Sequence, residues 1–320
     1  MAETPNFHMT RRTALGALAA TAASPAFAKA PMLGPLRPRV NRVKLGAFEV
    51  TTILDGATPR DSLHPMFGAN ASAEEVAALA VENGLPGGMA EFTFVPTLVN
   101  TGTELILFDT GSGEAARPGM GHLREQLSAA GYAPEDVDIV VITHNHPDHI
   151  GGMMEGGTPA FPNARYVTGQ IEYDFWSSED RVGSPVERLY QMTKAMVTPV
   201  VDKMTFLQPG DAIASGIEAV DAFGHTPGMM AFHIESEGKR LLLIADAANH
   251  YVLSMQRPDW HFGFDADKDG AVAARRRLMG MIAADKIPFT GYHLPFPALG
   301  YLTEMGDGFE YHPVSYQMNL

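Results

Sequence analysis

The sequence predicts an α/β fold in which two β-rich halves, each with interspersed helices, pack as two sheets face to face with the helices outside. Three observations carry this. Apolar runs of strand character, such as Asp138–Ile142 and Arg240–Ala245, recur in both halves, separated by stretches of helical periodicity. Five expected strands end at a polar residue able to ligate a metal, beside Gly, Pro or a small-residue turn: Asp109, His144, His225, Asp246 and His293. No clear linker follows residue 41, so residues 42–320 read as one domain. A hydrophobic content of 45% supplies ample core for it.

The segment before that domain reads as a leader. Arg11-Arg12 precedes an apolar, Ala-rich run from Thr13 to Ala23, and Ser24-Pro25-Ala26-Phe27-Ala28 has a small-residue cleavage pattern. Residues 1–28 are expected to be a signal peptide of the twin-arginine type, cut near Ala28, delivering the protein to the periplasm or medium. The run is too short for a membrane span. Residues 29–41 read as a flexible leader.

The elements then follow in order. Val43 to Leu54 suggests a strand pair around Gly46. Ser72-Ala73-Glu74-Glu75 is a capping box opening a helix through about Val81. Glu91–Asn100 and Thr103–Phe108 form a hairpin turning at Thr101-Gly102, and the second strand runs into Asp109-Thr110-Gly111. A helix near Gly121–Ala130 leads to the strand ending at the His cluster. Beyond it come a strand at Ala164–Val167, a helix starting at Gln170–Trp176 and a helix over Pro185–Val201. Ile217–Ala222 is a strand ending in Phe223-Gly224-His225-Thr226-Pro227-Gly228. Met230–Glu235 and Arg240–Ala245 make a hairpin around Glu237-Gly238. A helix at Ala271–Ala284, a strand at Ile287–Tyr292 and a last strand at Phe309–Val314 complete the chain.

Chemistry concentrates in Thr143-His144-Asn145-His146-Pro147-Asp148-His149, a turn directly after an apolar strand. Imidazole and carboxylate are the ligand set of zinc and similar cations, and with no cysteine in the chain no thiolate competes. With His225, Asp246 and His293 the candidates number seven, more than one tetrahedral ion needs and suited to two ions sharing a bridging carboxylate. Such a pair lowers the pKa of bound water from about 15.7 to about 7, so a metal-bridging hydroxide can attack without a serine or cysteine nucleophile. The reaction class is hydrolysis. Asp148 is a candidate catalytic proton acceptor as well as a ligand. Asp109 is expected just behind the ligands, hydrogen-bonded to one of their imidazoles, with a turn-stabilising role as the alternative. His64, His122, His233, His250, His261 and His312 lack comparable context, and His250, four after Asp246, reads as a surface or packing residue, with an approach to the pocket as the alternative. A formal charge of -14 leaves no basic footprint for a nucleic acid.

His144-Asn145-His146-Pro147-Asp148-His149, Gly224-His225-Thr226-Pro227-Gly228, Asp246 after Leu241–Ala245, and His293 together resemble the metallo-β-lactamase superfamily of dinuclear hydrolases, across about residues 43–315. The resemblance implies a four-layer αβ/βα sandwich of two mixed sheets. It implies one metal site of His144, His146 and His225, a second of Asp148, His149 and His293, and Asp246 bridging. Ala130-Gly131-Tyr132, Pro134-Glu135, Asp174-Phe175-Trp176 and His293-Leu294-Pro295-Phe296-Pro297 resemble the methyl parathion hydrolase-like branch, itself similar to quorum-quenching lactonases. Members of that branch hydrolyse organophosphate triesters, lactones and aryl esters and are commonly homodimers. Where the phosphotriesterase has a pocket phenylalanine this chain carries Ala116, which puts lactone or ester hydrolysis ahead. Trp176 matches an aromatic pocket position, with a core tryptophan as the alternative, and Phe296 is expected to form a pocket wall.

The expectation is thus an exported hydrolase of small-molecule lactones or aryl esters, with phosphotriesterase side activity. It would hold two divalent ions, zinc foremost, although manganese, iron and cobalt also suit the donors. The alternatives are an organophosphate hydrolase, a β-lactamase, against which the bridging Asp246 argues, and a non-catalytic metal-binding protein.

Overall fold

Ile139–Ile142 is apolar at every position because both of its faces are covered. Ile139 and Val141 point into the core between two sheets, while Val140 and Ile142 point the other way, into a core roofed by helices. Leu105–Phe108 divides in the same way, with Ile106 and Phe108 inward and Leu105 and Leu107 outward. Each of these side chains contributes roughly 1.5–3 kcal/mol by leaving water.

The computed structural model describes Met32 and residues 36–320. The signal-peptide reading of residues 1–28 lies outside the described residues, as do six of the thirteen leader residues, and the last two, Val40 and Asn41, already belong to the first strand. Residues Pro38–Leu320 form one compact unit. Its first seven-stranded sheet runs, in spatial and chain order alike, Val40–Leu45, Phe48–Ile53, Thr97–Asn100, Leu105–Phe108, Ile139–Ile142, Arg165–Gly169 and Met204–Leu207. The first four strands pair antiparallel and the last three join in parallel. The second sheet runs Ala212–Ala214, Ile217–Asp221, Met230–Ser236, Lys239–Leu243, Phe289–Thr290, Leu299–Met305 and Gly308–Pro313, with one parallel pair, Lys239–Leu243 beside Phe289–Thr290.

Helices cover both outer faces. Leu123–Ala129 sends Leu123 and Leu127 into the core against the first sheet. The helix Lys268–Asp285 packs against Leu299–Met305 of the second and buries Leu278, Met279 and Ile282. The architecture is the mixed four-layer sandwich the resemblance implied. A third apolar cluster, rich in phenylalanine, joins the helix Ala73–Glu82, a two-stranded ribbon of Gly56–Arg60 with Ala90–Phe94, and the loop carrying Phe262. The capping box that opens this helix is present, with Ser72 Oγ accepting from Glu75 N and Glu75 reaching back to Ser72 N. At the outer edge of the first sheet, Lys44 N donates to Met318 O and Leu320 N to Lys44 O, so the C-terminal residues strap the strand Val40–Leu45.

Several expected elements differ. Glu91–Asn100 is two strands in different sheets, Ala90–Phe94 and Thr97–Asn100, because Pro96 lacks the N–H that would continue a ladder. The helix expected over Pro185–Val201 spans only Glu187–Met196, and a 3-10 turn, Thr198–Lys203, follows where Pro199 disfavours helix at Thr198. Ile287–Tyr292 contributes a strand only at Phe289–Thr290. The strand Gly308–Pro313 pairs with Leu299–Met305, which its Gly300 and polar outer half disguised.

Candidate metal centre

All seven candidate ligands meet at one end of the two sheets. His144, His146, Asp148 and His149 follow the strand Ile139–Ile142 of the first sheet. His225 follows Ile217–Asp221, Asp246 follows Lys239–Leu243 and His293 follows Phe289–Thr290, all of the second. Each turn has a local cause. Pro147 opens the short helix Pro147–Ile150, which carries Asp148 and His149 past the turn and leaves the His149 ring 4.0 Å from that of His144. Gly224, at φ 127, lies against the start of the helix Lys268–Asp285, where a Cβ would come within 2.1 Å of Ala271 N. Ala245 holds φ 47, a left-handed conformation uncommon for alanine, immediately before Asp246.

The donor atoms fall into two groups sharing one carboxylate. His144 Nε2 lies 3.1 Å from His146 Nδ1, and His225 Nε2 lies 3.0 Å from that same atom. On the other side, Asp148 Oδ2 is 3.5 Å from His149 Nε2 and 3.4 Å from His293 Nε2. Asp246 stands between them, with Oδ2 3.3 Å from His225 Nε2 and 3.0 Å from His293 Nε2, and Oδ1 3.3 Å from His149 Nε2. Five of the seven have side chains no more than 3% exposed, whereas His146 is part-buried and Asp148, at 23%, has a route to solvent.

Neighbours fix which nitrogen of each ring faces inward. Asp109 Oδ2 sits 2.8 Å from His149 Nδ1. The Thr143 hydroxyl donates to the same Asp109 oxygen at 2.9 Å, so its oxygen is left to accept from His144 Nδ1 at 3.1 Å. Asp265 Oδ1 lies 2.8 Å from His225 Nδ1, and the Thr93 carbonyl 2.8 Å from His293 Nδ1. A carboxylate or carbonyl only accepts, so these rings donate through Nδ1 and turn Nε2 to the centre. Nδ1 of His146 faces the centre instead.

Electrostatics suit a cation. Burial, together with the neighbouring imidazoles, holds His144 and His146 well below the usual histidine range, so their lone pairs are free. Burial also opposes a charge on His149, but Asp109, Asp246 and Asp148 outweigh it and push its pKa well up. Burial would raise the Asp246 pKa, and His293 and His149 overcome that to hold it well below the carboxylate range. His149 Nε2 and Asp246 Oδ1 are buried with no hydrogen-bond partner. Buried polar atoms are rarely left so, and a divalent ion between the groups satisfies both. The residues present therefore fit two metal ions.

Asp109 lies against the imidazole of His149, and burial raises its pKa against the opposing pull of His149 and Thr143. Trp176 is only 2% exposed, its indole N–H donates to Glu172 Oε1 at 2.7 Å, and its ring lies 6.2 Å from that of His146. Phe296 is half-buried against the inter-sheet core. His250 is half-buried, with Nδ1 accepting from Val252 N and Leu253 N, and desolvation pulls its pKa down to about 4.

Periodicity missed the residues behind the ligands. Phe92 stacks on His293 at 4.0 Å, Phe262 on His225 at 6.0 Å and Tyr292 lies 3.8 Å from the His149 ring. Asn249 Nδ2 donates to Asp246 Oδ2 at 3.1 Å. Glu172, fully buried, accepts from Asn145 N, Thr226 Oγ1, Gly228 N and Trp176 Nε1, tying the His144–His146 turn to the His225 turn. The one available signal was an acidic residue on the apolar side of a short amphipathic helix.

A family model described as the Metallo-beta-lactamase superfamily matches residues 96–288, more than half of the chain. N-acyl homoserine lactonase of Bacillus sp is 24% identical over 169 residues, 52% of this chain and 60% of that protein, so the match spans less than two thirds of the relative. A solved structure of AidC, a dizinc quorum-quenching lactonase in complex with a product N-hexnoyl-L-homoserine, superposes with a TM-score of 0.80 at 29% identity, covering 87% of this chain and 98% of that one. Hydrolase AbOPH, in the beta lactamase superfamily, gives a TM-score of 0.81 at 25% identity over 88% and 99%.

Proposed function

The chain belongs to the metallo-β-lactamase superfamily, and from that premise we propose that it is a dinuclear metal-dependent hydrolase of lactones or aryl esters. The observation that carries this is the convergence of seven donors from two sheets into two groups that share Asp246. His144, His146 and His225 would hold one ion, Asp148, His149 and His293 the other, and Asp246 both. Bound there, a pair of cations supplies Lewis acidity that ionises water near neutral pH and polarises a carbonyl.

The chain's own groups do the rest. The Nδ1 anchors keep four rings oriented before substrate arrives, so no reorganisation falls in the reaction itself. Asp148 is the carboxylate of the set that reaches solvent, and it takes the proton of the attacking water and returns it to the leaving alkoxide. A ring-opened lactone then leaves as a hydroxy acid, an ester as an acid and an alcohol. Lactones lead the substrate classes because lactonases stand among both the sequence relatives and the solved neighbours. Zinc is proposed as the metal, export through residues 1–28 as the route and a homodimer as the assembly.

Purified protein analysed for metal and assayed against an acyl-homoserine lactone, dihydrocoumarin, an aryl ester, a phosphotriester and nitrocefin tests the reading. Two ions per chain, lactone or ester turnover, and loss of nearly all turnover in Asp246→Ala are expected. Less than one ion per chain in active protein refutes the dinuclear centre, and nitrocefin as the preferred substrate would favour a β-lactamase.

A further inference from the structure

Arg275 is the largest fully buried side chain of the described residues, 1% exposed on the helix Lys268–Asp285. All three of its guanidinium nitrogens are engaged. Nε donates to Ala247 O at 2.8 Å, Nη1 to Pro258 O and Trp260 O at 2.9 and 3.0 Å, and Nη2 to Asp265 Oδ2 at 3.2 Å. The other Asp265 oxygen, Oδ1, sits 2.8 Å from His225 Nδ1. Ala247 is the neighbour of Asp246, so one buried cation grips the turn carrying the shared carboxylate and the carboxylate behind a ligand histidine. Lys268 Nζ closes the same loop from outside through Gly263 O and Asp265 O at 2.9 and 2.7 Å.

A core of this size has no need of a charge here. A buried arginine–carboxylate pair adds little net stability over apolar side chains of the same volume. The pair is explained by what its far end touches. Carboxylate–histidine–metal chains fix the ring and strengthen the nitrogen donor, and a guanidinium with rigid fork geometry fixes the carboxylate in turn.

We infer that Arg275 and Asp265 form a buried relay that aims His225 and sets its strength as a metal donor, with Arg275 acting as a positioning residue through Asp265. This rests on the metal-centre reading above. The relay predicts that charge, rather than shape alone, matters at both positions. Asp265→Asn keeps an oxygen for His225 Nδ1 but removes the charge.

The test measures zinc affinity by competition with a chromophoric chelator for the wild type, Asp265→Asn, Arg275→Met and the double variant. The cobalt-substituted visible spectrum reports the ligand field, and apo-protein Tm controls for folding. Expected are a loss of about 10–100-fold in the affinity of one of the two ions in Asp265→Asn, a similar loss in Arg275→Met, and a double variant no weaker than Asp265→Asn alone, because both act through one carboxylate. The cobalt bands should shift in all three. Wild-type affinity in Asp265→Asn overturns the relay, as does an additive loss in the double variant, which would make Arg275 a brace for its loop only. If Arg275→Met does not fold, the Asp265→Asn affinity and cobalt spectrum decide. Wild-type protein that binds no zinc sinks the metal centre and the relay together, whereas two ions held equally well by wild type and Asp265→Asn overturn the relay alone.

Discussion

At Asp109 one carboxylate serves three donors, Thr143 N and Thr143 Oγ1 at 2.8 and 2.9 Å and His149 Nδ1 at 2.8 Å, from a backbone at φ 63 that aspartate tolerates and most residues do not. It thereby orients His149 directly and His144 through the threonine. Asp109→Ala strands those buried donors, at about 1–3 kcal/mol apiece before relaxation, so denaturant titration of the apo protein should show a loss of several kcal/mol. Asp109→Asn preserves the shape and should fold while holding zinc about 10–100-fold more weakly, measured by chelator competition. A variant with unchanged affinity would reduce Asp109 to the turn-stabilising role. The seven candidate ligands were legible because each sits in a short motif beside Gly, Pro or a strand end. Their supports were not, because they are joined only by the fold: Asp265 stands forty residues beyond His225 and Arg275 ten further on. Trp176 was read from a matching aromatic position in the resembling branch, and that match does not say that its indole is turned to Glu172.

The elements that deliver the ligands depend on close backbone approach as much as on strand pairing. Gly224 is pressed against the first turn of Lys268–Asp285, with Gly270 C 2.4 Å from where a Cβ would sit. Gly224→Ala must displace the helix that carries Arg275 or withdraw the His225 turn, and overpacking of this kind costs about 1–3 kcal/mol. A lower Tm together with weaker zinc retention is expected in a thermal melt run with and without metal, and an unperturbed variant would show that the contact is slack. Strands with both faces buried, such as Ile139–Ile142, announced themselves by unbroken β-branched runs. Leu299–Met305 did not, since its second half is exposed and Gly300 interrupts it where Tyr311 crosses. Glu91–Asn100 looked like one strand because its apolar content is continuous, and the decisive signal was the single Pro96 within it.

At the scale of the whole molecule, four candidate ligands come from the first sheet and three from the second, so metal would join the halves as well as serve chemistry. Ligand binding to the folded state alone contributes about 4 kcal/mol at a thousand times Kd. At about 2–4 °C per kcal/mol for a chain of this order, stripping the ions should lower Tm by roughly 8–16 °C in calorimetry, reversed by adding zinc. A Tm unmoved by chelation would mean the halves hold together without the centre. The two-sheet architecture was readable from strand count and the polar strand ends, whereas sheet membership and edge order required the structure. One edge has a bearing on handling the protein. Main-chain groups of Lys44 are occupied by Met318 and Leu320, so deleting residues 316–320 would bare the Lys44 amide and carbonyl on the edge strand Val40–Leu45. Such a surface recruits strands from other molecules. The shortened chain should cloud and sediment at concentrations where the full chain stays monodisperse by light scattering, and a bulky C-terminal fusion, by prising the strap loose, would invite the same self-association.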